Sequence, residues 1–281
     1  MKALEYGLKH GEEPDGPNCK LCGEPKPLQR SHIIPRSYYR QLKKGSGGQL
    51  MKITADDESQ PVASNSDPKE RLLCQDCERF LDKNYEKLGT KLFRPRASTV
   101  VMSDYIKIKQ FRYREIYLYF VSILWRVSSS RLPQYQGIDL GEINTIMRHC
   151  LRNKSISINP NARLDHFIKI CVIRVIDKSG TLPDAVIKKC LMDMNIEKGN
   201  APQDGMLYYF MVDGFLVCYI FKVEGDFELQ KALKFLSQLE DRSSIRIQKV
   251  DISELSQLCE MFSTVSRKVL ASGPQPSIES K

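Results

Sequence analysis

Cys19-Lys20-Leu21-Cys22, Ser31-His32-Ile33-Ile34-Pro35 and Leu72-Leu73-Cys74-Gln75-Asp76-Cys77-Glu78 are the three runs whose joint reading decides the first third of this chain. Two C-x-x-C units offer four soft thiolates, two from each knuckle, in the spacing that a tetrahedral ion takes up. The ion expected for Cys19, Cys22, Cys74 and Cys77 is zinc, in a closed structural role. The sequence between the knuckles then has to fold back on itself, so that residues far apart in the chain share one small module.

Working outward, the punctuation divides the 281 residues into segments. Residues 1–96 hold the metal-binding module, with a polar Gly/Ser/Asp-rich stretch at 45–68 that reads as a mobile insertion between the knuckles. Residues 97–154 read as a basic, mainly helical region from about Tyr105 to Asn153. Ile116, Phe120, Ile123, Leu124 and Val127 fall at helical spacing, and a second helix is expected over Gly141 to Arg152. Residues 155–271 alternate strands and helices. Strands are expected at Phe167 to Ile176, Met206 to Val212, Phe215 to Phe221 and Ser244 to Val250, and helices at Asp184 to Met194, Phe227 to Glu240 and Ser253 to Val269. Asp213-Gly214 between two β-rich runs is a hairpin signal. Residues 272–281 read as a disordered tail. The fold class that follows is α+β, with a small antiparallel sheet covered by helices in the C-terminal half.

Composition bounds the function. A hydrophobic fraction of 41% supports a genuine core, and no apolar run is long enough to span a bilayer. Beyond the four knuckle cysteines, Cys150, Cys171, Cys190, Cys218 and Cys259 are scattered singly among apolar residues and read as reduced core thiols. Those thiols, and a charged, glycine-rich N-terminus in place of an apolar signal segment, point to the cytoplasm. The net charge is +9, and it is localised. Residues 1–96 carry 18 Lys/Arg against 14 Asp/Glu, residues 105–154 carry nine against three, and residues 155–281 balance at 16 against 16. A polyanion-binding surface is therefore expected in the first half, with Lys107, Lys109, Arg112, Arg114 and Arg126 as contributors, the alternative being a solvated basic face. The aromatic residues Tyr105, Phe111, Tyr113, Tyr117, Tyr119, Phe120 and Trp125 are expected to pack a core rather than stack on bases. The C-terminal half carries no phosphate loop, dinucleotide fingerprint or nucleophile elbow.

The pattern Cys19-x2-Cys22, His32-Ile33-Ile34-Pro35, Cys74-x2-Cys77 resembles the HNH, or ββα-metal, endonuclease superfamily in its zinc-stapled, treble-clef form. The resemblance implies that His32 is the general base for water attack on a phosphodiester, and that a catalytic Mg or Mn ion assists. Where members of the family carry a histidine after the last cysteine this chain has Glu78, a hard oxygen ligand, followed at helical spacing by Asp82 and Glu86. The family's middle asparagine is replaced by the run Pro68-Lys69-Glu70-Arg71, and Ser31 precedes the histidine. Arg36 and Arg40, one helical turn apart, are candidate phosphate contacts alongside Arg112 and Arg114. The function this implies is a nucleic-acid endonuclease, with DNA as the first substrate, of the kind found among bacterial antiphage or toxin-type effectors. A regulatory protein partner would then bind the C-terminal domain. The alternative is a non-catalytic zinc-stapled adaptor that binds nucleic acid or protein.

Overall fold

A computed structural model describes residues 18–44, 50–53, 62–64, 67–94, 97–198, 206–221 and 237–255. In chain order the elements begin with β1 (Leu28–His32), α1 (Arg36–Lys44), β2 (Leu50–Ile53), β3 (Val62–Ser64) and β4 (Lys69–Cys74). Next come α2 (Gln75–Leu81), which runs through a wider π-type turn at Asp82–Glu86 into α3 (Lys87–Gly89), then β5 (Thr99–Val101) and β6 (Tyr105–Lys109). The long helix α4 (Tyr113–Ser129) is followed by α5 (Glu142–Asn153), β7 (Ser157–Asn159), β8 (Ala162–Arg163), α6 (Leu164–Phe167) and β9 (Ile168–Ile176). The chain continues with α7 (Asp184–Lys189), β10 (Cys190–Lys198), β11 (Met206–Val212), β12 (Phe215–Phe221) and β13 (Ser244–Asp251).

Helix α4 is buried on every side from Ile116 to Val127, which marks a helix enclosed by the fold rather than lying on its surface. One side of it meets α3, where Gly89 packs so closely that a Cβ there would run into the Tyr119 ring. On the other side is the main sheet, whose Tyr219 hydroxyl donates to the Phe120 carbonyl at 2.9 Å. The aromatic residues from Phe111 to Trp125 are core residues, as their spacing indicates.

The main sheet has nine strands among the described residues, in the order β3-β2-β10-β11-β12-β9-β13-β6-β5. Its pairings are antiparallel except for β2 with β10 and β9 with β13. The β11–β12 hairpin turns at Asp213 (φ 52°) and Gly214 (φ 74°), the pair of left-handed residues that a two-residue turn matched to strand twist requires. A Cβ on Gly214 would also collide with the Arg174 guanidinium, so the position is closed to larger residues twice over. One hydrophobic core takes in Leu73 of β4, Leu124 of α4 and Val217 of β12, so the three sequence segments share an interior. The opposite sheet face builds a smaller cluster around Cys171, Ile173 and Met211, with Ile187 of α7 against it. Both faces of β12 are therefore buried, and its sequence reads as a continuous apolar run.

The α+β class holds, and several local expectations change. The helix expected over Asp184 to Met194 stops at Lys189, and the chain continues as β10, because Cys190 to Met194 is buried between β11 and β2. The helical region expected from Tyr105 begins instead with strand β6, whose Tyr-Ile-Lys-Ile-Lys sequence alternates with the period of a strand. Inside the 45–68 stretch, expected to be a mobile insertion, β2 and β3 form strands, and β2 ties the two-knuckle unit to the main sheet through β10. The sheet is correspondingly larger than the small antiparallel one expected. Arg126, expected on a basic surface, is 1% exposed and bonded to Glu86. Most of the helices expected at 227–240 and 253–269, together with Cys259 and the tail at 272–281, lies outside the described residues. Cys150, Cys171, Cys190 and Cys218 are buried, reduced thiols. No helix among the described residues is long and apolar enough to cross a membrane.

Candidate metal centre and the His32 site

The first knuckle is a tight turn in which Gly23 N–H donates to the Cys19 carbonyl at 2.8 Å, with Gly23 in the left-handed region at φ 84°. Strands β1 and β4 pair antiparallel with Leu28 opposite Cys74, so that β4 delivers Cys74 at its end and α2 delivers Cys77 in its first turn. Two bonds lock the knuckles together: Lys20 N–H donates to the Leu72 carbonyl at 3.0 Å, and Cys74 N–H to Cys19 Sγ at 3.3 Å. The result is one cluster in which the four sulfurs lie within 4.8 Å of one another, with Cys22 and Cys74 at 4.0 Å. A tetrahedral ion with metal–sulfur bonds of about 2.3 Å needs sulfurs about 3.8 Å apart. The four cysteines could therefore hold a metal ion such as zinc.

The thiols differ in their readiness to ionise. Burial pushes the Cys19 thiol up, but backbone N–H bonds from Cys22, Cys74 and Leu21 outweigh it and bring the pKa down to about 7. Burial raises Cys22 and Cys77. Four such groups in one buried cluster become thiolates together only around a cation.

His32 closes β1, opposite Lys69 on β4. Ile33 and Ile34 behind it are fully buried, anchoring the turn into α1 and fixing where the imidazole stands. Its Nε2 lies 3.6 Å from Asp67 Oδ2, and Lys69 Nζ lies 3.8 Å from the same oxygen. That nitrogen is enclosed and makes no hydrogen bond. Burial first, then the charges of Lys69 and Arg36, lower its pKa below the usual 6.5, and Asp67 acts in the opposite direction. The ring is accordingly neutral at pH 7. The Tyr39 ring centroid stands 6.4 Å from the imidazole, and its hydroxyl is likewise buried without a partner.

Glu78 is half-buried on α2, with Oε1 enclosed and unbonded. It is oriented inward, since its charge acts on Arg126. Burial disfavours the Arg126 guanidinium, but Glu86 and Glu78 together keep it charged. The two further carboxylates expected beside Glu78 are already engaged, Glu86 with Arg126 and Asp82 with Lys87 at 3.3 Å. Among the described residues the four cysteines form the only group of three or more His, Cys, Asp or Glu side chains close enough to hold an ion. A carboxylate cage for Mg or Mn built from protein ligands alone is thus not found there.

Arg36 and Arg40 are exposed on α1, and Arg36 acts electrostatically on His32. Arg112 and Arg114 sit at the start of α4, both bonded to Glu115 Oε1, at 2.8 and 3.3 Å. The structure therefore groups Arg36 with His32 and places Arg112 and Arg114 on a separate element with their charge partly compensated. Sequence reading missed Asp67. Counting back from Cys74 along β4 leads to Lys69 opposite His32, and a carboxylate two residues earlier is the available signal. Compared with known proteins, the chain matches no family model, no curated protein and no solved structure.

Proposed function

We propose that this chain is a metal-dependent nucleic-acid endonuclease, acting on DNA in the first instance, in which His32 is the general base. The observation that carries the reading is the enclosed, unbonded Nε2 of His32 at the end of a ββα unit stapled by four cysteines, facing Asp67 and flanked by the cations of Lys69 and Arg36. In this reading Nε2 accepts a proton from water as the water oxygen bonds to phosphorus and the ester oxygen leaves. Asp67 is a positioning residue that orients the imidazole and stabilises the imidazolium. Lys69 and Arg36 bring positive charge to the phosphate. The cysteine cluster takes structural zinc, because four thiolates leave no position open for water. Glu78, with one enclosed oxygen that lacks a hydrogen-bond partner, would be the single carboxylate to hold a Mg or Mn ion, which would supply charge neutralisation at phosphorus.

A second reading is a zinc-stapled adaptor without catalysis, favoured by the lack of a second ion-holding cluster among the described residues. The two separate in one assay, nicking of supercoiled plasmid by purified protein with Mg or Mn. The nuclease reading expects nicking that His32→Ala reduces at least a hundredfold without loss of bound zinc or of DNA binding. Binding without nicking in either metal would establish the adaptor.

A further inference from the structure

A cavity of about 390 Å³ is lined by neither the cysteine cluster nor His32. Its floor is a sheet face where Ile106 and Ile108 of β6 lie beside Ile247 of β13, and Phe215 of β12 follows across β9. Phe93 forms a flat wall, stacked on Phe215 with ring centroids 4.1 Å apart. The volume is within the range of cavities that hold small organic molecules, about 300–1,000 Å³.

The polar groups around this apolar floor are unequal. Arg174 bonds Asp184 and the Val175 and Gly214 carbonyls, and Lys188 pairs with Asp184 at 2.5 Å, so these cations are used within the protein. Arg94 and Lys249 make no ion pair among the described residues; Lys249 Nζ donates to the Met102 carbonyl, at 2.6 Å. Thr99 also lines the cavity, and its hydroxyl is buried with no hydrogen-bond partner. An aromatic and aliphatic floor with two cations outside any ion pair and one unpaired hydroxyl at its edge complements an amphipathic anion. A flat or aliphatic body would cover Phe93 and Phe215 while its acidic group meets Arg94 and Lys249.

We propose that this cavity is a binding site for a small amphipathic anion, an apolar body carrying one carboxylate or phosphate, independent of any nuclease activity. The test uses the full chain and 1-anilinonaphthalene-8-sulfonate, followed by calorimetry and fluorescence, with N-phenyl-1-naphthylamine as the neutral counterpart. The sulfonate should bind one-to-one. Arg94→Glu with Lys249→Glu should weaken it at least tenfold while leaving the neutral probe unchanged, and both side chains are on the cavity edge, so folding is retained. Val101→Trp, at an exposed lining position, should weaken both probes by filling the cavity. Octanoate and adenosine monophosphate then compete for the site, and displacement by one or the other tells carboxylate from phosphate. Sulfonate affinity unchanged in the charge-reversed variant, several equivalent sulfonates per chain, or displacement by neither acid would overturn the assignment.

Discussion

Eight buried side-chain polar atoms lack a hydrogen-bond partner among the described residues, and seven of them belong to the ββα unit of β1, β4 and α2, to α1 and to α4: Ser31, His32, Ser37, Tyr39, Glu78, Trp125 and Arg126. The main sheet contributes only Thr99, which lines the cavity described above. Elsewhere in the sheet and its loops the buried polar groups are paired. Tyr135 bonds Asp193, Arg174 is held by three acceptors, and Asp251 accepts from the Lys178 and Ser253 backbone at 2.7 and 2.9 Å. Unpaired buried groups cost about 1–3 kcal/mol each, so a fold that keeps seven of them in one region needs a compensating source of stability there. A metal ion held by the four cysteines would supply it for the unit, while the sheet relies on backbone pairing and apolar burial.

The contrast can be broken most severely at Cys74. Cys74→Ser should abolish stoichiometric zinc, measured by elemental analysis, and unfold the ββα unit, since structural zinc contributes on the order of 10 kcal/mol. Near-native far-ultraviolet circular dichroism from the strands should persist. Wild-type protein purified without zinc, yet with a folded unit, would show that the unit stands on apolar packing alone.

A smaller effect is expected within the first region, at the contact between α4 and the turn that follows α2. Glu86→Ala leaves the Arg126 guanidinium, 1% exposed, without its hydrogen-bonded counter-charge, and the loss should be about 3–5 kcal/mol in urea unfolding. Replacing both residues, Arg126→Met with Glu86→Ala, should recover much of it. If Glu86→Ala alone costs less than about 1 kcal/mol, then Glu78 suffices to hold the charge and the contact between α4 and the unit is looser than its geometry suggests.

The smallest effect sharpens the comparison inside the unit. The folded pKa of His32 lies below its ordinary 6.5, so the folded state binds fewer protons than the unfolded chain as pH falls through 6.5. Folding stability should therefore decline below that pH, and His32→Ala should remove this component. Asp67→Asn, which deletes the charge favouring the imidazolium, should lower the pKa of His32 further in an imidazole proton titration by nuclear magnetic resonance. A titration midpoint at or above 6.5 in the wild type would reverse the assigned balance between burial and Asp67.

Much of the fold was legible because it is encoded locally. The hairpin at Asp213-Gly214 follows from turn chemistry, α4 and α5 from helical spacing, and β9, β11, β12 and β13 from β-branched and aromatic runs. Spacing alone was equally informative for Cys19, Cys22, Cys74 and Cys77, because a tetrahedral ion accepts few arrangements and the paired knuckles supply one. The segment Asp184 to Lys198 was not legible in the same way. Its first six residues form α7, while Cys190 to Lys198 becomes a strand only because β2 and β11 lie on either side of it.

The sequence by itself determined the cysteine cluster, the α+β class and the position of His32 between the knuckles, since each rests on residue type and short-range spacing. Only the tertiary structure decided that Arg126 is an interior ion-pair partner, that Asp67 stands against His32, and that Arg94 and Lys249 edge a cavity floored by Ile106, Ile247 and Phe215. Burial and charge compensation depend on which distant residues fold against a side chain, and the periodicity of a single strand or helix carries no information about those partners.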